Sequence, residues 1–305
     1  MPTAATTAPR RRHRALVAGW LATVLVCASA LVMVPTGPAS AMAKIQCKQT
    51  TGTGYIDPIV HHDQAISSAT THLHQFFGNN AWLSLGGWAN WANYANLAGK
   101  GTNCLNTADT AGYWSPALRY TSSGTVIPAV GFWAYYRAFD GSNKGPGMAF
   151  PADTRLVATV HNWTCGQFER QAPVPNIPDC HLADGRPGHT LTAHIDFPSC
   201  WNGVRPYHPN AQVGDTRDNR NYAYPVKGAC PAGFPYEMVQ LRETIAYAYH
   251  GYGTDLQLSS DAMMGMTDGM SMHADFWNTW VQTGLVSMVA NCVNGTGTRT
   301  KAQCG

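Results

Sequence analysis

The cysteine content constrains the possible fold of this 305-residue chain more than any other feature. Eight cysteines follow residue 41, namely Cys47, Cys104, Cys165, Cys180, Cys200, Cys230, Cys292 and Cys304. An even number of cysteines in an exported chain predicts disulfides, here four. Sequence alone cannot choose among the possible pairings, but closeness along the chain favours Cys165–Cys180, Cys200–Cys230 and Cys292–Cys304, which leaves Cys47–Cys104. A cysteine zinc site is disfavoured because no CxxC pair occurs.

Residues 1–41 have the features of an export signal. Four arginines precede the apolar run ALVAGWLATVLVCASALVMV, and the small residues of GPASA follow it, so we expect cleavage after Ala41 or Ala43. An uncleaved membrane anchor is the alternative, because the apolar run is long. Cys27 lacks the small preceding residue that lipid attachment requires. The prediction is a signal peptide at 1–41 and a single secreted globular domain at 42–305, with no membrane contact after cleavage.

The charge of the mature chain argues against one class of partner. The signal holds four of the 20 basic residues and none of the 17 acidic ones, so 16 basic residues remain against 17 acidic. Without an excess of positive charge, nucleic acid is not an expected partner. Charged residues make up 12% of the chain, against a usual share of roughly 25%. A surface rich in Asn, Thr, Ser, Gly and Tyr suits neutral, hydroxyl-rich ligands.

Short strands joined by turns dominate the predicted secondary structure, because Gly and Pro are scattered along the whole chain. Alternating apolar and polar residues predict strands within 155–165, 189–197 and 238–250. Residues 117–139 resemble a hairpin with a Ser-Ser-Gly turn at its centre. Glu243 is the exception on an otherwise apolar strand face.

A segment near the C-terminus has a helical pattern instead. Apolar residues recur at helical spacing after His273, which predicts a helix at 274–290 packed on the sheets. Asp275 would then lie in the first turn, where a carboxylate interacts favourably with the helix dipole. The expected fold is mainly β, a jelly-roll-like β-sandwich with long loops, a C-terminal helix and four disulfides.

Four sequence groups contain candidate site residues: His61, His62 and Asp63 with His72 and His74; His194 and Asp196; Tyr224; and His273 and Asp275. His72 and His74 would share one face of a strand, a spacing that suits metal ligands or catalysis, although such a pair can also satisfy a turn. Asp196 is equally explained as a buried carboxylate in a turn, and the helix start alone would explain Asp275. A neutral His273 with a lowered pKa would fit a ligand or a base.

Two further segments offer binding chemistry. GWANWANYANLAG repeats an aromatic-Ala-Asn triplet through Trp88, Trp91 and Tyr94, whose rings could stack on sugars, although a buried stripe is favoured. DAMMGMTDGMSMH, at 261–273, holds five methionines before a histidine. Their thioethers could bind Cu(I), but filling of the core is the default interpretation.

Several motifs occur together in the order seen in one family: DPIV (57–60), THLHQFFGN (71–79), GYWSPAL (112–118), DFPSCWNG (196–203), YAYPVKGACP (222–231) and MHADFWNTW (272–280). With them the chain resembles the secreted bacterial and fungal family numbered nineteen-ninety-six in the domain-of-unknown-function series, from about Tyr55 to Cys292. The resemblance implies export, and some fungal members are joined to modules thought to bind cell-wall glycans.

The resemblance also implies a site assembled from distant residues, which correspond here to His72, His74, Asp196, Tyr224, His273 and Asp275. We expect the fold to gather them into a single solvent-reachable pocket. The chain departs from the family pattern at Asn221, where a histidine is usual, and at Asn202, where an aspartate is usual. If the missing histidine were a metal ligand, metal binding would be weak or absent.

The first functional hypothesis is an enzyme that acts on extracellular or cell-wall polysaccharide by hydrolysis or elimination. His74 or His273 would move the proton. Asp196 or Asp275 would orient or activate the reacting groups, and Tyr224 could serve as a further acid or base.

Two alternatives involve no catalysis. In one, the protein binds glycans through rings such as Trp88 and Trp91. In the other, it binds copper or zinc through His72, His74 and His273, or copper through the methionine segment. The cofactor and the oligomeric state are left open.

Overall fold

The computed structural model describes residues 42–59, 71–84, 93–142, 146–166, 173–181, 190–204, 206, 221–295 and 304. Fifteen short strands, numbered β1–β15 in chain order, make up most of the regular structure of these residues. The helices are α1 (Tyr94–Leu97), α2 (Asp261–Met264) and α3 (Gln282–Met288), with a π-helical turn at Val289–Val293 and 3₁₀ turns at Ala81–Ser84 and Gly253–Asp255. The export signal predicted at 1–41 lies outside the described residues.

Sheet 1 has five antiparallel strands. In spatial order they are β1 (Met42–Cys47), β6 (Ala129–Arg137), β13 (Gln240–Tyr247), β9 (Leu191–Asp196) and β8 (Val160–Cys165). Side chains alternate between its two faces, as strand geometry requires. In β6, Phe132 and Tyr136 are buried, whereas Trp133, Tyr135 and Arg137 are half-buried on the opposite face.

Sheet 2 also has five antiparallel strands. In spatial order they are β2 (Gly52–Gly54), β3 (His74–Gly78), β4 (Gly112–Pro116), β15 (Ala274–Trp277) and β7 (Arg155–Ala158). The remaining strands form a three-stranded sheet of β11 (Tyr222–Ala223), β10 (Cys200–Trp201) and β12 (Tyr236–Glu237), and a pair of β14 (Leu256–Leu258) and β5 (Leu118–Tyr120).

The two large sheets pack face to face through aromatic residues. Phe77 of sheet 2 stacks on Phe132 of sheet 1 with ring centroids 4.5 Å apart. The hydroxyls of Tyr113 and Tyr136 are hydrogen-bonded across the same interface at 2.7 Å. All four rings are buried, so these contacts lie in the main hydrophobic core. The prediction of a mainly β fold is confirmed.

Sheet 2 is covered on both faces. A second apolar cluster lies on the face that points away from sheet 1, and it consists of Ile56, Ile59, Phe76, Leu97, Trp114 and Trp277. Strands β3, β4 and β15 are consequently buried at every position instead of alternating. This outer face is therefore an interior environment with few routes for water.

The C-terminal helix begins later than the sequence predicted. Residues Ala274–Trp277 form β15, an internal strand of sheet 2, and α3 begins only at Gln282. Because β15 is buried on both faces, its consecutive large residues imitated a helical stripe. The predicted helix at 274–290 is therefore wrong over its first half, and so is the helix-dipole role of Asp275.

Two further strand predictions are corrected. In the predicted hairpin at 117–139, the chain does turn back at Ser-Ser-Gly, with backbone hydrogen bonds between Leu118–Tyr120 and residues 125–127. The pairing does not continue to 139, because β5 also pairs with β14, whereas β6 joins sheet 1. The predicted strand at 155–165 is divided at Thr159 into β7 of sheet 2 and β8 of sheet 1. The strands within 189–197 and 238–250 are confirmed as β9 and β13.

The three disulfides favoured by closeness along the chain are present, at Cys165–Cys180, Cys200–Cys230 and Cys292–Cys304, and so is the remaining pair, Cys47–Cys104. Cys47–Cys104 closes the longest loop of the four and joins β1 of sheet 1 to a segment that is hydrogen-bonded to β3 of sheet 2. In the part of the chain that the structure describes, no helix is both long and apolar enough to cross a membrane.

The core also contains two carboxyl groups. Glu243, the charged exception on its strand, is fully buried between the sheets, as is Asp109. Burial raises the pKa of Asp109 to about 8, while its hydrogen bonds from the Tyr113 hydroxyl and the Ala111 amide oppose the rise. Burial and the nearby Asp109 raise the pKa of Glu243 well above its ordinary value. Burial thus favours the protonated form of both carboxyl groups.

Candidate functional site

Three histidines from distant parts of the sequence meet on the outer face of sheet 2. The ligand atoms of His72, His74 and His273 all lie within 4.8 Å of one another. Their side chains are buried, with 6%, 0% and 7% of their surfaces exposed. We call this group the histidine centre. The fold thus brings together the three imidazoles that the sequence proposed as metal ligands.

Strand register explains why these histidines converge. His74 pairs with Pro116 of β4, and Asp275 of β15 pairs with Trp114 on the other side of β4. Continuing this antiparallel register by two residues brings His273 level with Pro116, and therefore with His74. His72 and His273 flank the ends of their strands, so short backbone extensions carry both imidazoles to the same edge.

Backbone carbonyls fix the orientation of two of the rings. The Nδ1 atom of His74 lies 2.8 Å from the carbonyl oxygen of Ile56, and the Nδ1 atom of His273 lies 2.8 Å from that of Ser271. A carbonyl can only accept, so both Nδ1 atoms carry hydrogen, and a neutral ring then presents a lone pair on Nε2. Metal-binding histidines in proteins are commonly oriented in this way.

The third imidazole faces one of these lone pairs. The Nε2 atoms of His72 and His273 are 3.1 Å apart, and their rings meet edge to face. Two nitrogen atoms at this distance either share one hydrogen or direct both lone pairs to a common cation. The contact is therefore suited to proton transfer or to metal binding.

Two buried carboxylates adjoin the same centre. Asp57, Asp275 and His74 offer ligand atoms that lie within 4.8 Å of one another. Asp57 is 4% exposed and Asp275 is fully buried. Burying a carboxylate is costly unless it is hydrogen-bonded, paired with a cation or bound to a metal. The neighbourhood of His74 thus combines neutral nitrogen ligands with oxygen ligands.

The electrostatics of His273 keep its ring uncharged. Burial lowers its pKa to about 4, and the charge of His161 acts in the same direction, while the hydrogen bond to Ser271 opposes the shift. At neutral pH the ring is therefore an available ligand or base. The sequence predicted a neutral imidazole here from a helix start, but the cause is burial at the end of a strand.

Asp196 and Tyr224 belong to a different group, on the outer face of sheet 1. Asp196 accepts hydrogen bonds from the Nη2 atom of Arg137 at 2.7 Å and from Nε and Nη2 of Arg242 at 2.7 and 2.5 Å. The Tyr224 hydroxyl donates to the backbone oxygen of Asp196 at 2.9 Å, and burial raises the pKa of Tyr224. The fold thus brings together four of the six residues that were expected to share one solvent-reachable pocket, and all four are buried. Asp196 and Tyr224 lie elsewhere.

His194 is part of the Asp196 side of the molecule. Its two ring nitrogens lie 3.1 Å from the hydroxyl of Thr244 and 3.0 Å from that of Thr164. Burial, followed by the charges of Arg242 and Arg137, lowers the pKa of His194 to about 3. Sequence analysis missed both arginines. The signal that could have found them is their position on the polar face of alternating strands.

The remaining candidates have separate outcomes. His61, His62, Asp63, Trp88 and Trp91 lie outside the described residues. Tyr94, at the start of α1, is half-buried and packs against the second apolar cluster, which agrees with a structural role.

Four methionines of the 261–273 segment, Met263, Met264, Met266 and Met270, are between 36% and 52% exposed. Only Met272 is buried, so filling of the core explains just that one.

The two departures from the family pattern lie in contact with each other. The Nδ2 atom of Asn202 donates to Oδ1 of Asn221 at 3.1 Å, beside the three-stranded sheet. A histidine at position 221 would therefore lie in this pair and not among His72, His74 and His273. Its replacement removes no ligand from the histidine centre.

Comparison with known proteins gives one result. The family described as domain of unknown function (DUF1996) matches residues 57–280, a span that includes every residue of the histidine centre and both adjoining carboxylates. Neither the search of curated proteins nor that of solved structures found a match. Because the matched span covers more than half of the chain, this protein belongs to the DUF1996 family.

Proposed function

We propose that the protein is an exported metal-binding protein whose histidine centre holds a zinc or copper ion. The observation that carries this proposal is the convergence of His72, His74 and His273 within 4.8 Å, with two of the rings oriented by backbone carbonyls. Imidazole nitrogen suits both zinc and copper. Export is supported by the leader sequence and by the four disulfides.

Charge balance supports the same proposal. A divalent cation among neutral imidazoles leaves two positive charges in a buried environment, which is unfavourable without nearby anions. Asp57 and Asp275 place two carboxylates beside His74. They can balance such an ion directly or orient the ring that binds it.

Metal analysis and titration of the mature protein, purified without a histidine tag, test the proposal. We expect one ion per chain and a higher melting temperature, because a metal at about 100 times its Kd stabilises the folded state by about 2.7 kcal/mol. His74→Ala and His273→Ala should abolish both effects. His194→Gln is the matched control, since it removes a buried histidine outside the centre. Equal metal binding by the His74→Ala and His194→Gln variants would overturn the proposal.

Exposed methionines make the identity of the metal a separate question. Thioether sulfur selects Cu(I), and Met266 and Met270 lie on the surface shortly before His273 in the chain. Titration with Cu(I) under reducing conditions, compared with Zn²⁺, separates the two ions. Replacing both methionines with leucine should weaken Cu(I) binding and leave Zn²⁺ binding unchanged.

Action on extracellular polysaccharide is the second candidate. It is favoured by the arrangement of His74 beside Asp57 and Asp275, and by a neutral His273 that can accept a proton. Because His74 is fully buried, a substrate would contact the centre only through the edges of His72 and His273. Asp196 and Tyr224 would have no direct role.

A panel of plant and microbial polysaccharides, assayed for new reducing ends and unsaturated products, tests this candidate with and without added metal. Loss of the product in His273→Gln, but not in His194→Gln, would support it. If no polymer yields product under either condition, the hydrolase and lyase hypothesis is wrong.

A further inference from the structure

The outer face of sheet 1 carries charged and aromatic side chains that the histidine centre does not use. Strand register places Lys44, Tyr135, Arg242 and Asp196 side by side on β1, β6, β13 and β9. Trp133 and Arg137 are two residues before and two residues after Tyr135 in β6, so they lie on the same face as Tyr135. We call these six residues the cationic face.

Aromatic rings and a lysine form one end of this face. Trp133 and Tyr135 are half-buried, so part of each ring remains open to solvent. The Nζ atom of Lys44 lies 5.4 Å from the centroid of the Trp133 ring and 5.6 Å from that of Tyr135. This geometry is that of a cation–π contact, which keeps the ammonium group at the surface of the rings.

Two arginines share one aspartate at the other end. Asp196 is paired with both Arg137 and Arg242, and the three side chains are 17%, 13% and 18% exposed. With Lys44, the face holds three cations and one carboxylate. Among the described residues Arg137 forms hydrogen bonds only through Nη2, and its buried Nε has no hydrogen-bond partner. Arg137 thus has a donor group that Asp196 does not satisfy, and two guanidinium groups share one carboxylate.

We propose that the cationic face binds an acidic glycan, meaning a polysaccharide whose sugars carry carboxylate or sulfate groups. Sugar rings present apolar faces that stack on Trp133 and Tyr135. Guanidinium groups match the planar geometry of carboxylates and also pair with sulfates, so Arg137 and Arg242 recognise the anionic substituents. Lys44 adds a positive charge beside the aromatic rings, on the edge strand β1. The site goes beyond the metal centre and does not depend on it.

The local charge also sets the expected size and class of the ligand. The mature chain is nearly neutral overall, with 16 basic and 17 acidic residues after the signal, so it offers no general attraction for polyanions. Three cations on one sheet face match a few charged sugars and not a long phosphate backbone. An acidic glycan is therefore favoured over nucleic acid.

Calorimetric titration of the metal-free mature protein with defined oligosaccharides tests the proposal. Oligogalacturonate and a sulfated oligosaccharide represent the two sources of negative charge, and a neutral cello-oligosaccharide and single-stranded DNA are the comparisons. At least one acidic glycan should bind about tenfold more tightly than the neutral one, and its binding should weaken as salt rises. Equal binding of the neutral sugar, equal binding of DNA, or no binding of either acidic glycan would overturn the proposal.

Variants locate the binding on the cationic face. Trp133→Ala should weaken binding about tenfold and Lys44→Gln about threefold, as expected for single aromatic and cation–π contacts. Tyr252→Ala and Lys100→Gln are matched controls, because both residues are exposed and lie outside this face. Circular dichroism establishes that each variant is folded. If Trp133→Ala and Lys44→Gln bind as tightly as their controls, the face is not the site.

A final variant separates this proposal from the metal centre. His74→Ala should lose metal and keep its affinity for the acidic glycan, whereas Trp133→Ala should keep metal and bind the glycan about tenfold more weakly. Loss of glycan binding in folded His74→Ala would mean that the ligand occupies the histidine centre, which would also overturn the assignment to sheet 1.

Discussion

The outer faces of the two large sheets contain polar groups of opposite kinds. On sheet 2, the histidine centre is at most 7% exposed, and the imidazole of His273 is held neutral by burial. On sheet 1, Arg137 and Arg242 both form ion pairs with Asp196, and each of these side chains remains between 13% and 18% exposed. Ion pairs lie where water still reaches them, whereas on the covered face the imidazoles adjoin two buried carboxyl groups, Asp57 and Asp275. Burial penalises charge more than it penalises polarity, so a carboxylate on the covered face needs a partner such as a cation.

This difference indicates which chemistry each face can support. A covered group of neutral nitrogen atoms gains most from binding a cation, since the imidazoles need not lose a proton or a salt bridge first. A half-buried group in which cations outnumber carboxylates gains most from binding an anion, because the anion accepts hydrogen bonds that water gives up when the cations are partly buried. The chain therefore has one region suited to a metal ion and another suited to an acidic ligand.

The largest effect on stability is expected from a substitution that removes the shared carboxylate on sheet 1. Asp196→Ala leaves Arg137 and Arg242 close together without their shared carboxylate. Removing one partner of a largely buried ion pair should lower the free energy of unfolding by about 3 kcal/mol, measured by urea denaturation. Asp140→Ala is the control, because that carboxylate is exposed and acts on Arg137 only through its charge. A loss below about 1 kcal/mol for Asp196→Ala would show that water already screens this group.

A smaller effect is expected in the pH dependence of stability, through His194 on sheet 1. The pKa of His194 lies at about 3 in the folded protein, against an ordinary value of 6.5. Below pH 6.5 the unfolded chain takes up a proton that the folded chain does not, so stability falls as pH decreases towards 3. The contribution of this histidine is about 1.4 kcal/mol for each pH unit.

Urea denaturation between pH 6.5 and 4.5 measures this contribution. His194→Gln should show a shallower loss of stability with acid than the wild type, whatever its stability at pH 6.5. His250→Gln is the control, because His250 is exposed and should leave the slope unchanged. Identical slopes for the wild type and His194→Gln would mean that His194 takes up its proton in the folded state at an ordinary pH.

The two faces also differ in how far the sequence revealed them. His72, His74 and His273 were identifiable because their motifs are short and distinct. Asp57 lies in one of the same motifs, DPIV, although no role was predicted for it. Arg137 and Arg242 were not identified, because a polar residue at an alternating position of a strand is compatible with simple exposure. Only the register between β6, β13 and β9 shows that they share Asp196.

The fold was predictable to a similar degree. The disulfide pairs followed from closeness along the chain, and the alternating strands β9 and β13 followed from their period. Strand β15 was mistaken for a helix because a strand covered on both faces has no alternation. Its environment depends on the second apolar cluster, which is assembled from distant segments. The local sequence of β15 therefore does not indicate that the second apolar cluster covers it.

The smallest expected effect concerns the stability of the cationic face itself. Lys44→Gln removes the ammonium group that lies over Trp133 and Tyr135. The free energy of unfolding should fall by less than about 1 kcal/mol, because a cation–π contact at a partly exposed site contributes little. Urea denaturation of Lys44→Gln beside Lys100→Gln measures the difference.

A small change in stability would distinguish Lys44 from Asp196. Asp196 balances charge within the fold, whereas Lys44 adds charge that the fold itself does not need. A residue of the second kind is expected where a surface is adapted to a ligand. A loss for Lys44→Gln as large as that for Asp196→Ala would instead make the lysine part of the internal charge balance. The outer face of sheet 1 would then resemble that of sheet 2, with its polar groups committed to one another.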